Sequence, residues 1–162
     1  MKNAASVLRE FRVNPDDIGF VGRDLQRPEC ILAEPNGDLW VADARGGVTH
    51  IQADGTQAFI GQKRDARFEQ AVTDSVDSAE SKFTTGTLPN GLAFAANGDI
   101  LISNFGTDLL EVMTRQGETH TLYDRIDGQP IGKVNFVLRD RRNRIWLTIS
   151  TRVNPWTRAA SS

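Results

Sequence analysis

Short apolar runs alternate with turn-forming residues along most of the chain, and this pattern predicts antiparallel β-strands. Residues 30–33 and 39–42 flank Asn36-Gly37, a dipeptide that favours a type I′ hairpin because both residues tolerate a positive φ. The same pattern predicts further strands at 48–51, 56–60, 90–95, 99–103, 108–113, 118–123, 134–139 and 144–149. We therefore expect an all-β fold in which consecutive strands form meanders.

Three hairpins share one sequence frame. Each opens with an oxygen-bearing side chain, reaches a polar turn after the same interval and returns as an apolar strand; the opening residues are Glu29, Asn90 and Asn135. When a long polar insertion at 61–87 is subtracted, the repeat measures about 40 to 45 residues, the period of a four-stranded propeller blade. A β-sandwich would also show short strands, but it does not predict the same polar residue at each blade start.

We therefore expect a partial β-propeller over residues 27–162, with blades that start near 28, 89 and 134, preceded by an N-terminal segment at 1–26. Propellers close with about 4 to 8 blades, so a chain of about three blades forms an incomplete ring. Its open blade edges predict self-association unless another element covers them. The sequence is typical of the N-terminal portion of a longer protein, either a truncated gene product or a fragment.

The insertion at 61–87 is rich in charged residues and carries little strand pattern. Two interpretations stay open for it: a functional lid or binding loop, and a solvated insertion without a role in the site.

Composition excludes several classes of protein. Charged residues make up 25% of the chain and the formal net charge is −2, so we expect neither nucleic-acid binding nor a polybasic membrane patch. No apolar run has the length of a signal peptide core or a membrane-spanning helix. Cys30 is the single cysteine, which excludes an intramolecular disulfide and fits a reducing compartment. We expect a soluble cytoplasmic protein.

Equivalent positions in successive blades converge on the propeller axis, which brings the three opening side chains to a shared point. Glu29 would supply a carboxylate, and Asn90 and Asn135 would supply amide oxygens. Such oxygens are the ligands that Ca²⁺ prefers, and the absence of thiol or imidazole at these positions argues against zinc. The alternative is that Asn90 serves its own turn and Asn135 caps a strand.

Other polar and aromatic residues have simpler explanations. Asp43 and Asn104 follow the second strands at matching offsets, where turn capping is expected. Trp40 and Trp146 occupy equivalent second-strand positions, which predicts packing between blades. The two histidines, His50 and His120, fall on predicted outer strands, so they are not expected to form a catalytic pair.

Four stretches carry a resemblance to a known family: Pro28-Glu29-Cys30, residues 88–94, Val134-Asn135-Phe136 and residues 144–148. Together they resemble the gluconolactonase, senescence-marker-protein and luciferin-regenerating-enzyme-like family. The resemblance implies a six-bladed propeller that holds a divalent metal, commonly calcium, in its channel and hydrolyses small lactones or related esters.

Position by position, the resemblance matches Glu29 to the family's first metal carboxylate and Asn90 to its Asn-Gly-Leu metal ligand. Asn135 matches an asparagine near the metal or substrate. The family's usual general base is an aspartate from a later blade, and no residue of this chain corresponds to it. The resemblance therefore implies a metal-dependent hydrolase whose catalytic residues are unknown here and which is not expected to be active as a truncated chain. The alternative is a non-catalytic propeller module that binds a ligand or protein.

Overall fold

A computed structural model describes residues 11–64 and 87–150, and within these ranges the chain is almost entirely β. A short 3₁₀ turn, Pro15–Asp17, precedes twelve strands. The strands are β1 (Ile31–Ala33), β2 (Leu39–Asp43), β3 (Gly47–Ile51), β4 (Gln57–Gly61), β5 (Pro89–Phe94), β6 (Ile100–Asn104), β7 (Leu109–Met113), β8 (Thr119–Tyr123), β9 (Arg125–Ile126), β10 (Gln129–Pro130), β11 (Val134–Arg139) and β12 (Ile145–Ile149). The predicted all-β class is confirmed.

Two four-stranded antiparallel meanders form the body of the fold. The first blade has the order β1-β2-β3-β4 and the second has the order β5-β6-β7-β8. The hairpin β11–β12, which we call the third unit, repeats the two inner strands of a blade. These sheets confirm a partial β-propeller. The small hairpin β9–β10 links the second blade to the third unit and has no counterpart in the sequence prediction.

The core lies between the sheets, and the inner strands of the second blade, β5 and β6, bury most of both their faces. Along β6, Ile100 and Ile102 pack toward the first blade, whereas Leu101 packs toward the third unit. The continuous apolar run of this strand is typical of a strand covered on both sides. Removal of this apolar surface from water, worth roughly 25 cal/mol per Å², makes the packing between the sheets the main stabilising contribution of the fold.

The hairpin turns differ from the predicted type I′ geometry. At Asn36-Gly37 only the glycine has a positive φ, of 94°, and its N–H donates to the carbonyl of Glu34 at 2.9 Å. This is a type I turn followed by one left-handed residue, which joins the strands through a longer loop. The third unit places Asn143 at the left-handed position, with φ 64°, because asparagine tolerates this conformation better than most residues.

The predicted insertion at 61–87 begins later than expected. Gly61 is the last residue of β4, and Lys63 forms a parallel bridge with Glu118 in the second blade. Residues 61–64 therefore belong to the contact between the two blades. The remainder of the predicted insertion, 65–86, lies outside the described residues, as do the N-terminal residues 1–10 and the end of the third blade at 151–162.

Within residues 11–64 and 87–150, no helix has the length and apolar character needed to cross a membrane.

Candidate functional site

Asn90 and Asn135 occupy equivalent irregularities at the starts of β5 and β11. Pro89 pairs with Asn104 and Gly91 pairs with Ser103, so Asn90 is the extra residue of a β-bulge. Val134 pairs with Ile149 and Phe136 pairs with Thr148, which leaves Asn135 as the extra residue of a second bulge. A bulge redirects the side chain of its extra residue and is frequent beside functional sites.

The two bulges bring the asparagine side chains together. Nδ2 of Asn90 donates a hydrogen bond to Oδ1 of Asn135. Oδ1 of Asn90 is buried and accepts no hydrogen bond from the part of the chain that the structure describes. Buried polar atoms in folded proteins nearly always have a partner, so this oxygen is available to a donor or cation that residues 11–64 and 87–150 do not supply.

Gly91 and Ser103 hold the two strands at the distance that this meeting requires. A Cβ at Gly91 would lie 2.7 Å from Cα of Phe136 and 2.9 Å from the backbone nitrogen of Val137. The Ser103 hydroxyl donates to the carbonyl of Asn135 at 2.9 Å and accepts from the N–H of Gly91, also at 2.9 Å. The small glycine and the bridging hydroxyl therefore fix β11 against β5.

Glu29 has a different partner within the described residues. Its side chain is 40% exposed, and its Oε1 is 2.6 Å from Nε of Arg27. It precedes β1 and is not part of a strand. Among the described residues, no hydrogen bond or ion pair joins Glu29 to Asn90 or Asn135. The structure thus brings together two of the three side chains that the sequence predicts as ligands.

Asp43, at the end of β2, confirms the predicted role in turn capping. Its Oδ1 accepts from the backbone N–H of Arg45 at 3.0 Å, and the guanidinium of the same arginine contacts both carboxylate oxygens. Thr49 donates to Oδ2 at 3.0 Å. Burial alone would raise the pKa of Asp43, but the hydrogen bonds from Arg45 and Thr49 outweigh it, so the pKa is lowered. Its carboxylate is occupied within the protein.

Asn104, at the equivalent end of β6, also caps a turn. Its Oδ1 accepts from the backbone N–H groups of Leu88 and Gly106, at 2.8 and 3.1 Å. Its Nδ2 donates to Oε2 of Glu111 and to the Thr87 hydroxyl, both at 2.8 Å. Asn104 therefore ties the start of β5, which carries Asn90, to β6 and β7.

A buried ion pair beside Asn104 was not predicted from the sequence. Arg64 lies 2.7 Å from Oε2 of Glu111, and the exposed fractions of the two side chains are 7% and 1%. Gln62 and Thr87 complete this polar cluster. The available signal was Glu111, the single charged residue in the apolar strand Leu109–Met113. Its side chain occupies the position of Thr49 in the first blade, since Thr49 pairs with Val41 as Glu111 pairs with Ile102.

The described residues contain one group of carboxylates and histidine compact enough for a metal, formed by Glu34, Asp38 and His50. Its donor atoms already have partners within the protein. Oδ2 of Asp38 is 2.9 Å from Nε2 of His50, whose ring stacks on Trp40 at 4.0 Å. Glu34 accepts from the indole N–H of Trp40 and from Arg115. We assign this group to packing between the blades, as the sequence predicts for Trp40.

The sequence also led to predictions for Trp146 and the two histidines. Trp146, which is equivalent to Trp40, is 54% exposed, so the predicted packing between blades is wrong for it within the described residues. Its indole N–H donates to Asp140 at 3.0 Å. His50 lies on β3 and His120 lies on β8, in separate blades.

Comparison with solved structures supports the same fold. The chain is similar to a catalytically inactive virginiamycin B lyase from Staphylococcus aureus, with 14% identity and a TM-score of 0.52 over 79% of this chain and 36% of that one. It is also similar to a protein provisionally assigned as a gluconolactonase, with 22% identity and a TM-score of 0.52 over 80% of this chain and 44% of that one. The chain therefore spans less than half the length of either structure.

Both similar structures are β-propellers, which confirms the predicted propeller fold. At this identity the similarity concerns the fold alone. No family model matches the sequence, and no curated protein matches it.

Proposed function

We propose that this chain supplies part of a divalent-cation site, with calcium as the preferred ion, in a propeller that hydrolyses lactones or related esters. The observation that carries the proposal is the meeting of Asn90 and Asn135 from two equivalent bulges, with the buried Oδ1 of Asn90 lacking a partner among the described residues. The name of the similar gluconolactonase structure supports the substrate class, and only at the level of a proposal.

The chemistry of the donors fits a hard cation. Amide and carboxylate oxygens are suitable calcium ligands, and calcium accepts six to eight of them in flexible geometry, with water completing the set. Oδ1 of Asn90 would be the first ligand, because it requires no change of partner. Oδ1 of Asn135 would give up its hydrogen bond from the Asn90 amide in order to bind the ion. Glu29 would likewise give up its ion pair with Arg27.

The residues of this chain would bind and orient rather than transfer protons. A bound divalent cation supplies Lewis acidity that polarises the carbonyl of a lactone or ester. Asn90 and Asn135 would fix its position, and Ser103 would hold the two bulges in register through its hydroxyl. We assign no general base among the described residues.

A second candidate is a non-catalytic propeller module that binds a ligand or protein. It is favoured by the ion pair of Glu29 with Arg27, which gives the carboxylate a partner without a metal. This candidate predicts no dependence of ligand binding on a metal ion and tolerance of Glu29→Ala.

Calcium titration of the purified chain tests the proposed site. At about 100 times the dissociation constant, a ligand that binds only the folded state adds about 2.7 kcal/mol of stability. We expect calcium to raise the midpoint of thermal unfolding of the wild type, and Asn90→Leu to abolish this rise. Asn97→Leu, which changes an exposed asparagine in the β5–β6 turn, is the matched control and should retain it.

Asn90→Asp is expected to change the calcium response in the direction opposite to Asn90→Leu. The new carboxylate faces Oδ1 of Asn135 without a bridging proton, so the metal-free protein should be less stable and should gain more from calcium than the wild type does. Equal calcium responses in wild type, Asn90→Leu and Asn90→Asp would contradict the metal assignment. Calcium binding without calcium-dependent hydrolysis of a γ-lactone or aryl ester by the protein that contains this chain would favour the binding module.

A further inference from the structure

A cavity of about 270 Å³ lies between the second blade and the third unit, near the β5–β6 turn and thus at the end of the strands opposite to Asn90. Its lining includes Leu101, Val112, Leu122, Ile145, Asp99 and Arg139. The floor is apolar, and the two charged side chains belong to different sheets. The apolar floor is the outer surface of the core cluster that contains Leu101 and Val112, and the proposed metal site does not use this cavity.

The equivalent cleft between the first and second blades is filled by one side chain. Arg115, from the β7–β8 turn, lies over the ring of Trp40 at 4.5 Å and over that of Phe94 at 5.0 Å. Its two terminal nitrogens donate to the carboxylate of Glu34 at 2.8 and 3.0 Å, and its Nε donates to the carbonyl of Gly98. This cleft therefore binds a cation between aromatic walls and a carboxylate.

Strand register identifies the residues that replace these walls in the second cleft. Leu101 pairs with Val112 in the second blade as Trp40 pairs with His50 in the first, so two smaller apolar side chains replace the stacked rings. Ala95, the residue after β5, takes the place of Glu34, the residue after β1. The loss of two rings and of the carboxylate that corresponds to Glu34 opens the cavity.

A further replacement adds a cation to the wall of the second cleft. Arg139 ends β11 opposite Ile145, as Phe94 ends β5 opposite Ile100. Its Nε donates to the carbonyl of Phe94 at 2.6 Å, and one terminal nitrogen donates to Oδ1 of Asn143 at 3.0 Å. No carboxylate in residues 11–64 and 87–150 lies within ion-pair distance of this half-buried guanidinium.

We propose that this cavity binds a small amphipathic carboxylic acid, with its apolar body on Leu101, Val112 and Leu122 and its carboxylate on Arg139. A guanidinium binds carboxylate through parallel charge-assisted hydrogen bonds, and the surrounding apolar surface strengthens that interaction. The volume is slightly below the range of about 300 to 1,000 Å³ that drug-sized ligands occupy, which limits the ligand to a single ring or a short chain. Asp99 lines the same cavity and repels an anion, so it sets the orientation of the ligand toward Arg139.

Binding of 3-phenylpropionate, with its neutral isostere 3-phenylpropionamide as the control ligand, tests the proposal in calcium-free buffer. We expect the acid to shift the methyl resonances of Leu101, Val112 and Leu122, and to bind about tenfold more tightly than the amide, as one charge-assisted hydrogen bond allows. Arg139→Gln should remove this preference. Arg142→Gln, which changes an exposed arginine of the neighbouring turn, should preserve it.

Two further variants keep the test decisive if Arg139→Gln does not fold. Ala95→Glu restores the carboxylate of the first cleft and should abolish binding of the acid, whereas Asp99→Asn should strengthen it. Equal binding of acid and amide, shifts confined to other residues, or no binding by the folded wild type would overturn the proposal. Because no step involves calcium or Asn90, these outcomes are independent of the proposed metal site.

Discussion

At the scale of single residues, Gly91 determines whether the two asparagines can meet. The backbone of β11 approaches β5 so closely at this point that any side chain on Gly91 would overlap it. The approach also lets the Ser103 hydroxyl contact the backbone of both strands. The close contact between the two sheets therefore requires a glycine after Asn90, and neither a turn nor a positive φ requires it.

Gly91→Ala should destabilise the protein by about 1 to 3 kcal/mol, the usual cost of inserting a methyl group into a packed contact. Its Cβ would lie 2.7 Å from Cα of Phe136, which is backbone and cannot rotate away. Chemical denaturation of the variant and wild type measures the difference.

The matched control is Gly19→Ala, because a Cβ at Gly19 has no atom within 4 Å and the residue has no positive φ. We expect its free energy of unfolding to stay within about 0.5 kcal/mol of the wild type. Equal stability of the two variants would contradict the assigned close approach. In addition, Gly91→Ala should weaken the calcium response, since displacement of β11 separates Asn135 from Asn90.

At the scale of elements, the β7–β8 turn fastens the second blade to the first through Arg115. The guanidinium contacts the Glu34 carboxylate through two hydrogen bonds and covers Trp40. The hydrogen bond from Arg115 lowers the pKa of Glu34, and the hydrogen bond from the Trp40 indole N–H lowers it further. A carboxyl group with a lowered pKa contributes stability above its ordinary pKa, and that contribution is lost as the pH falls through the lowered value.

Arg115→Met should therefore destabilise the protein in a pH-dependent manner. At pH 7 we expect a loss of about 1 to 2 kcal/mol, because the ion pair is bidentate and only partly exposed. Denaturation at neutral pH and at acidic pH measures the loss, and the difference from wild type should shrink at the acidic value as Glu34 becomes protonated. Methionine retains much of the contact with Trp40, so the change isolates the charge.

Arg125→Met is the control for this pair of measurements. Arg125 is 59% exposed, and its contact with Asp124 at 3.8 Å is a surface ion pair of little value. Its substitution should change stability by less than about 0.5 kcal/mol at either pH. A loss for Arg115→Met that is the same at both pH values would show that the turn is held by packing alone.

At the scale of the whole molecule, the sequence predicted the architecture because the architecture depends on repetition. Turn residues and apolar runs recur at a blade-length interval, and the ten predicted strands have boundaries within one residue of the described ones. The same repeat predicted that Asn90 and Asn135 occupy equivalent positions at the starts of their strands. It did not predict the bulges that bring the two side chains together, because a bulge is a local change of register that leaves the apolar pattern unchanged.

Contacts between sheets were the least predictable part of the candidate site. Arg64 belongs to a stretch that reads as polar and irregular, yet its guanidinium is buried against Glu111. Glu29 carries the correct chemistry for a ligand, but its own neighbour Arg27 is its nearest partner. In both cases the decisive fact is which charge lies opposite, and a single sequence does not contain that information.

The third unit leaves a large apolar face in contact with solvent. Phe136, Leu138 and Trp146 are 46%, 51% and 54% exposed, and Leu138 pairs directly with Trp146 across the hairpin. Contiguous apolar surface of this kind is uncommon on monomeric soluble proteins. Self-association through the open blade edges stays a prediction, and sedimentation velocity over a range of protein concentrations would test it.

The backbone contact of Lys63 with the second blade has a consequence for synthesis. Its N–H donates to the carbonyl of Gly117, and its carbonyl accepts from the N–H of Thr119, both at 2.8 Å. The ribosome delivers about 5 to 20 residues per second, so the outer margin of the first blade waits several seconds for these partners. During that interval the backbone N–H and carbonyl of Lys63 lack the partners that the β7–β8 hairpin supplies in the folded protein.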